Sequence, residues 1–319
     1  MPPSHLRCND DAVLGALQGF STIAAVIAVG FVLAHVGVLG LEARKILADV
    51  AFFVASPALL LVVLSRAPVG EVLSSGLLVA VLSSVAVCSV AAMVASWRWG
   101  MGLADTVMAG LCAGYVNSGN LGLPIALYVL GDITYAAPVL LYQLLVLTPV
   151  SMTVLDSQLP GAKPGLLARI AGLFRNPITV GALLGLVLSV THVRLPPVLL
   201  DPITLIGNLA VPCMLIAFGV ALRLGQRPGE DLGQVAMLSV LKLVGQPLIA
   251  AGLGAGLGLR GHELFAVVVM AALPTAQNIF TYSLRYGRAV YLTRDTIFVT
   301  TLASAPVILV AALAFVLGA

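Results

Sequence analysis

The chain has 319 residues, 60% of them hydrophobic and only 9% charged, with a net charge of +3. Soluble domains carry about 25% charged residues, so this composition excludes a soluble enzyme or a nucleic-acid-binding module and points to lipid as the solvent. Cys8, Cys88, Cys112 and Cys213 form no disulfide framework; Cys88, Cys112 and Cys213 lie in apolar stretches with no paired spacing and read as small buried hydrophobes.

Ionisable residues other than His cut the chain into ten apolar runs: 12–41, 46–65, 72–97, 106–131, 133–155, 176–193, 202–222, 232–259, 264–284 and 296–319. Each reaches the roughly 17–25 residues that a bilayer-spanning helix requires. The reading is an all-α integral membrane protein with ten transmembrane helices. Only Asp49 and Lys242 interrupt the runs.

Along the chain, the second run carries Asp49 four residues past Lys45, a depth of about 6 Å by helical rise. Asp49 either reaches the cytoplasmic interface or, if it faces a cavity, is the only carboxylate in any run able to carry a proton. The same run contains "ASPALL" at 55–60. The fourth run holds "NSGNLGLP", with Asn117, Ser118, Gly119, Asn120, Gly122 and Pro124 straddling mid-depth. Proline removes a helical donor and glycine weakens the helix. Broken backbone at that depth is tolerated only inside protein or along a cavity.

The fifth run closes a first half over 1–155, and a short cytoplasmic linker over 156–175 leads to a second half over 176–319. In the seventh run "AVPCML" at 210–215 echoes "ASPALL", and in the ninth "ALPTA" at 272–276 echoes "GLPIA" at 122–126. Both echoes fall at runs n and n+5. Five is odd, so the halves enter the membrane with opposite polarity, an inverted repeat of the kind that builds many secondary transporters. The ninth run supplies Pro274, Thr275, Gln277 and Asn278, its amides following the proline instead of preceding it. Because the two broken helices run antiparallel, the amides converge where they cross. Exposed half-helix N-termini there favour an anionic group.

Lys242 is eleventh in its run and so near mid-depth, which makes it a functional candidate by default. It supplies either an electrostatic field or a structural pairing with a carbonyl or carboxylate. Gln143, Gln234 and Gln246 are weaker polar candidates, with helix packing as the alternative role. The four histidines, His5, His35, His192 and His262, lie at or beyond run ends, and no His-Glu-x-x-His pattern occurs. No catalytic residue, metal ligand set or cofactor is therefore expected. With the N-terminus outside, the cytoplasmic segments hold Arg44, Lys45, Arg98, Lys163, Arg169, Arg175, Arg223, Arg227, Arg285, Arg288 and Arg294, and the outer ones hold Arg7, Arg66, Arg194 and Arg260. The positive-inside rule thus puts both termini on the outer side of an inner membrane.

"NSGNLGLP" and "ALPTAQNIFTYSLRYG" resemble the two broken-helix motifs of the auxin efflux carrier family in its bacterial branch. "NPITVGALLG" at 176–185, the prolines of runs two and seven and the overall length carry the likeness across the chain. The resemblance implies an NhaA-like fold with helices four and nine crossing. It also implies a secondary active transporter, a permease for small organic anions, moving by an elevator or rocking step. Asn117, Ser118, Gly119, Asn120, Gly122 and Pro124 would form one half of the crossover, and Pro274, Thr275, Gln277 and Asn278 the other. Small mono- or dicarboxylates are the expected substrates, moved by efflux or coupled to a proton. A sodium-coupled symporter of the bile-acid type is the alternative. A homodimer is compatible with this reading.

Overall fold

A chain dissolved in lipid must satisfy its backbone polar groups internally, which leaves helices as the economical choice for long apolar runs. The computed structural model describes residues 21–66, 75–159, 176–224 and 231–318, and they are almost entirely helical, with no named strand among them. Most of the expected linker, residues 160–175, lies outside the described residues, as do Arg7 and Arg227.

The helices are α1 (Ser21–His35), α2 (Leu41–Arg66), α3 (Ser75–Trp97), α4 (Leu103–Gly114), α5 (118–128), α6 (Ile133–Asp156), α7 (Pro177–Val190), α8 (Pro197–Leu224), α9 (Leu232–Gly256), α10 (Gly261–Ala271), α11 (Asn278–Tyr286) and α12 (Val290–Gly318). Six of them, α2, α3, α6, α8, α9 and α12, are long and apolar enough to cross a membrane; α1, α4, α7 and α10 are shorter apolar helices.

Four stretches adopt the wider π-helical turn: Ala51–Ala55, Ser118–Gly122, Gln143–Leu147 and Leu241–Gly245. Each ends two residues before a proline, namely Pro57, Pro124, Pro149 and Pro247. The pyrrolidine ring clashes with the carbonyl four residues back and offers it no N–H. Widening the preceding turn moves that carbonyl aside, so the helix absorbs the proline without a sharp break.

Packing separates the helices into two groups. In one, α7 and α8 lie on α2, and α1 crosses α8 so closely that a Cβ on Gly219 would stand 2.0 Å from the Ile27 carbonyl oxygen. Only glycine permits that approach. In the other, α3 packs on α4, α6 and α9, while α9 packs on α10 and α12. Helix α5 touches α8, so the chain between α4 and α6 bridges the groups.

Candidate functional site

Two helix interruptions meet at the centre of the second group. Helix α4 stops at Gly114, the chain runs extended through Tyr115, and α5 starts after Asn117. Helix α10 stops at Ala271, and helix resumes at Asn278. Val116 and Thr275 face one another in an antiparallel contact. The Asn117 N–H donates to the Pro274 carbonyl at 2.8 Å, and the Ala276 N–H donates to the Tyr115 carbonyl at 3.1 Å. Pro274 has no N–H to return, so the Asn117 carbonyl is left to accept from Leu121 (3.1 Å) and Gly122 (2.9 Å), which starts α5. The proline thus ends one helix and lets another begin.

Side chains from flanking helices hold this crossing. Gln143 of α6 donates its Nε2 to the Val116 carbonyl at 3.0 Å and accepts from the Ser118 hydroxyl at 2.6 Å. Thr275 donates its hydroxyl to the Cys112 carbonyl at 2.6 Å, and its N–H donates to the Thr300 Oγ1 of α12 at 3.2 Å. The carbonyls at the two half-helix C-termini are also engaged. Ser84 of α3 donates to the Gly114 carbonyl at 2.8 Å, and Lys242 of α9 donates Nζ to the Ala271 carbonyl at 3.0 Å. A Cβ on Gly114 would sit 2.8 Å from the Ser84 carbonyl oxygen, so glycine is what brings α4 within reach of α3. The C-terminal end of a helix carries partial negative charge, which makes Lys242 a cation at a matching place. Its ammonium also bonds Gln246 Oε1.

The residues expected from the sequence are distributed as follows. Asn117 is 3% exposed; its Oδ1 accepts from the Asn120 N–H at 3.3 Å, and its Nδ2 is buried without a hydrogen-bond partner. Pro124, Pro274 and Thr275 are buried, while Gly119, Asn120, Gln277 and Asn278 are half-buried. Asn278 donates to the Tyr282 hydroxyl at 3.2 Å. Gly122 lies against Leu273 and Met270. Lys242 is fully buried, whereas Asp49 is exposed on α2.

A cavity of about 330 Å³ opens between α3, α6, α9 and α10. Its rim carries Ser75, Asp132, Thr134 and Glu263 from helix ends and a loop, and its floor carries Ser83, Ser84, Gly114, Val116, Gln143, Gln246 and Ala271. None of the ten crossover residues expected from the sequence lines it; the cavity meets the crossing at Val116 and at the two half-helix ends.

Sequence reasoning missed Ser84 and Thr300, which look like any other hydroxyl in an apolar helix. It also weighed Gln143 and Gln246 as packing residues, although both are buried against the cavity. A second correction concerns carboxylates. Asp49 is not the only one inside a long apolar helix, because α12 begins before the last apolar run and takes in Asp295, which is fully buried and pairs with Arg294 Nε at 2.6 Å. Cutting the chain at every charged residue had put Asp295 outside.

The family described as membrane transport protein matches residues 20–162 and 166–312. An "Uncharacterized transporter" of Methanothermobacter thermautotrophicus is 26% identical over 296 residues, covering 91% of this chain and 95% of that protein. A "Putative malonate transporter" of Rhizobium meliloti is 28% identical over 264 residues, covering 79% and 81%. "Auxin efflux carrier component 6" of Arabidopsis thaliana is 30% identical over 122 residues, 36% of this chain and 21% of that one. With apolar helices long enough to cross a bilayer and a family match running almost end to end, the chain is a multi-pass membrane protein belonging to the membrane transport protein family, that of the auxin efflux carriers.

Proposed function

We propose that the protein is a secondary carrier for a small organic anion, a mono- or dicarboxylate, moved across the inner membrane by efflux or with a proton. The observation that carries this reading is the paired interruption with a buried, unpartnered amide at its centre, Asn117 Nδ2. A buried donor without an acceptor costs free energy, and a carboxylate oxygen would satisfy it. Asn and Gln donors also bind an anion without a permanent counter-charge, which permits release. The relative named for malonate makes that dicarboxylate the first probe.

The architecture proposed is ten spans in two inverted halves, 1–155 and 176–319, joined by the linker 156–175, with α4–α5 and α10–α11 each forming one broken span. Matched contacts support it. Ser84 to Gly114 and Lys242 to Ala271, like Gln143 to Val116 and Thr275 to Thr300, join counterparts 157–159 residues apart. The two backbone bonds across the crossing likewise exchange under the same operation, with Val116 and Thr275 on its axis. Both termini lie outside in this arrangement, and the cavity rim at Ser75, Asp132 and Glu263 then faces outward. Sliding of the α1, α2, α7 and α8 group against the other would present the crossing to alternate sides.

The test is charge movement or uptake in proteoliposomes with a panel of mono- and dicarboxylates, with and without a pH gradient. Transport of one acid class by the wild type, lost in Asn117→Ala, is the expected result. Undiminished transport by a folded Asn117→Ala protein would sink the crossover assignment.

A further inference from the structure

We propose that Gln246, held in place by Lys242, is the carboxylate-docking group on the floor of the cavity. This inference rests on the carrier reading above and adds to it where the anion lands when the cavity is open.

The argument begins with hydrogen-bond chemistry. An ammonium group donates and cannot accept. The Gln246 atom that meets Lys242 Nζ is therefore the carbonyl oxygen, which leaves the amide Nε2 as the other end of a side chain that lines the cavity. Gln246 is 2% exposed and Lys242 0%, so neither is an incidental surface group. A buried ammonium polarises the amide it touches, and in a low-dielectric site its field reaches well beyond its own contacts. Among the described residues no carboxylate pairs with Lys242; its bonds go to Gln246 and to the Ala271 carbonyl, both neutral. A lysine buried among only neutral partners has no counter-charge of its own, so an anion bound nearby is what stabilises its charged form.

The rest of the floor is arranged to the same end. Its two half-helix carbonyls, at Gly114 and Ala271, would repel a carboxylate, but Ser84 and Lys242 already occupy them. Gln143 is the less available donor, because one N–H of its Nε2 is committed to Val116 and its Oε1 to Ser118, which ties the amide to the crossing. Gln246 Nε2 is what remains on the floor as an amide donor oriented by a cation. Lys242 is then a positioning residue: it acts through Gln246 and through its charge, without lining the cavity itself.

The test is equilibrium binding of malonate and of propionate to the full-length protein purified in detergent, by titration calorimetry, with melting curves as the check on folding. Gln246→Leu, which keeps the side chain's size, is expected to weaken both acids at least tenfold. Gln246→Glu, which turns a carboxylate toward the ligand, is expected to abolish binding. Lys242→Gln should weaken both acids by about 10- to 100-fold, and Lys242→Arg should recover part of that loss, which a merely structural contact would not predict. Should the Lys242 variants fail to fold, the Gln246 pair decides alone. Binding by Gln246→Leu within twofold of the wild type overturns the proposal. If that happens while Asn117→Ala loses binding, the carrier reading stands and only the docking group falls. If the wild type binds neither acid, both readings fall together.

Discussion

At the scale of single residues, the crossing is a small set of buried hydrogen bonds, and Gln143 is its hinge pin. It satisfies the Val116 carbonyl and the Ser118 hydroxyl at once. Gln143→Leu leaves both unpaired in a buried place, at a cost of roughly 1–3 kcal/mol for each group. The expected outcome is a lower melting temperature of the purified protein together with weaker carboxylate binding; an unchanged melting curve would contradict the assignment. Why was Asn117 legible in the sequence while Ser84 was not? An amide in an apolar run carries more polar groups than its neighbours satisfy: Asn117 Oδ1 takes the Asn120 N–H, but Nδ2 has no local partner and demands explanation. A serine does have one: Ser65 and Ser83 simply bond the carbonyl three residues back. Ser84 instead reaches a carbonyl 30 residues away, and nothing in its neighbours announces that.

At the scale of elements, proline and the wide turn work together. Lys242 lies inside the π segment Leu241–Gly245, and Gln246 follows it immediately before Pro247. The widened turn sets the direction in which both side chains leave the helix, as π turns often do at functional sites. Pro247→Ala should let the segment relax toward regular α-helix and turn Lys242 off the Ala271 carbonyl. Expected is a loss of carboxylate affinity of about tenfold with no loss of thermal stability, since proline in a helix interior is costly. Both quantities are measured on the same sample, and retained affinity would show that the π turn does not position the pair. The prolines themselves were visible in the sequence, as were the breaks at Pro124 and Pro274. That four of them would be absorbed by wide turns, while Pro202 and Pro306 sit inside regular helix, was not.

At the scale of the whole molecule, the proposed inverted arrangement makes a claim about sides. In a cysteine-free background, Arg194→Cys is expected to react with a membrane-impermeant maleimide added outside intact cells, and Arg98→Cys is expected to react only after permeabilisation. Both positions are exposed, so accessibility within the protein does not limit either. The opposite labelling would reverse the topology and with it the side to which the cavity opens. The separation into two helix groups belongs to this scale too. It follows from close crossings such as α1 over α8 at Gly219, and an alternating movement would have to preserve those contacts while sliding others.

By itself the sequence determined that the chain lives in a bilayer, that its interior is helical, and where two of those helices break. Charge spacing and the cost of an unpaired peptide group in lipid leave little choice on these points. Only the tertiary structure decided which partners the broken ends find. It put Lys242 on the Ala271 carbonyl, turned Gln246 toward a cavity, enclosed Asp295 and left Asp49 on an exposed face. Those outcomes depend on which helix lies beside which, and hydrogen bonds between residues 25 or more positions apart leave no local trace in composition or period.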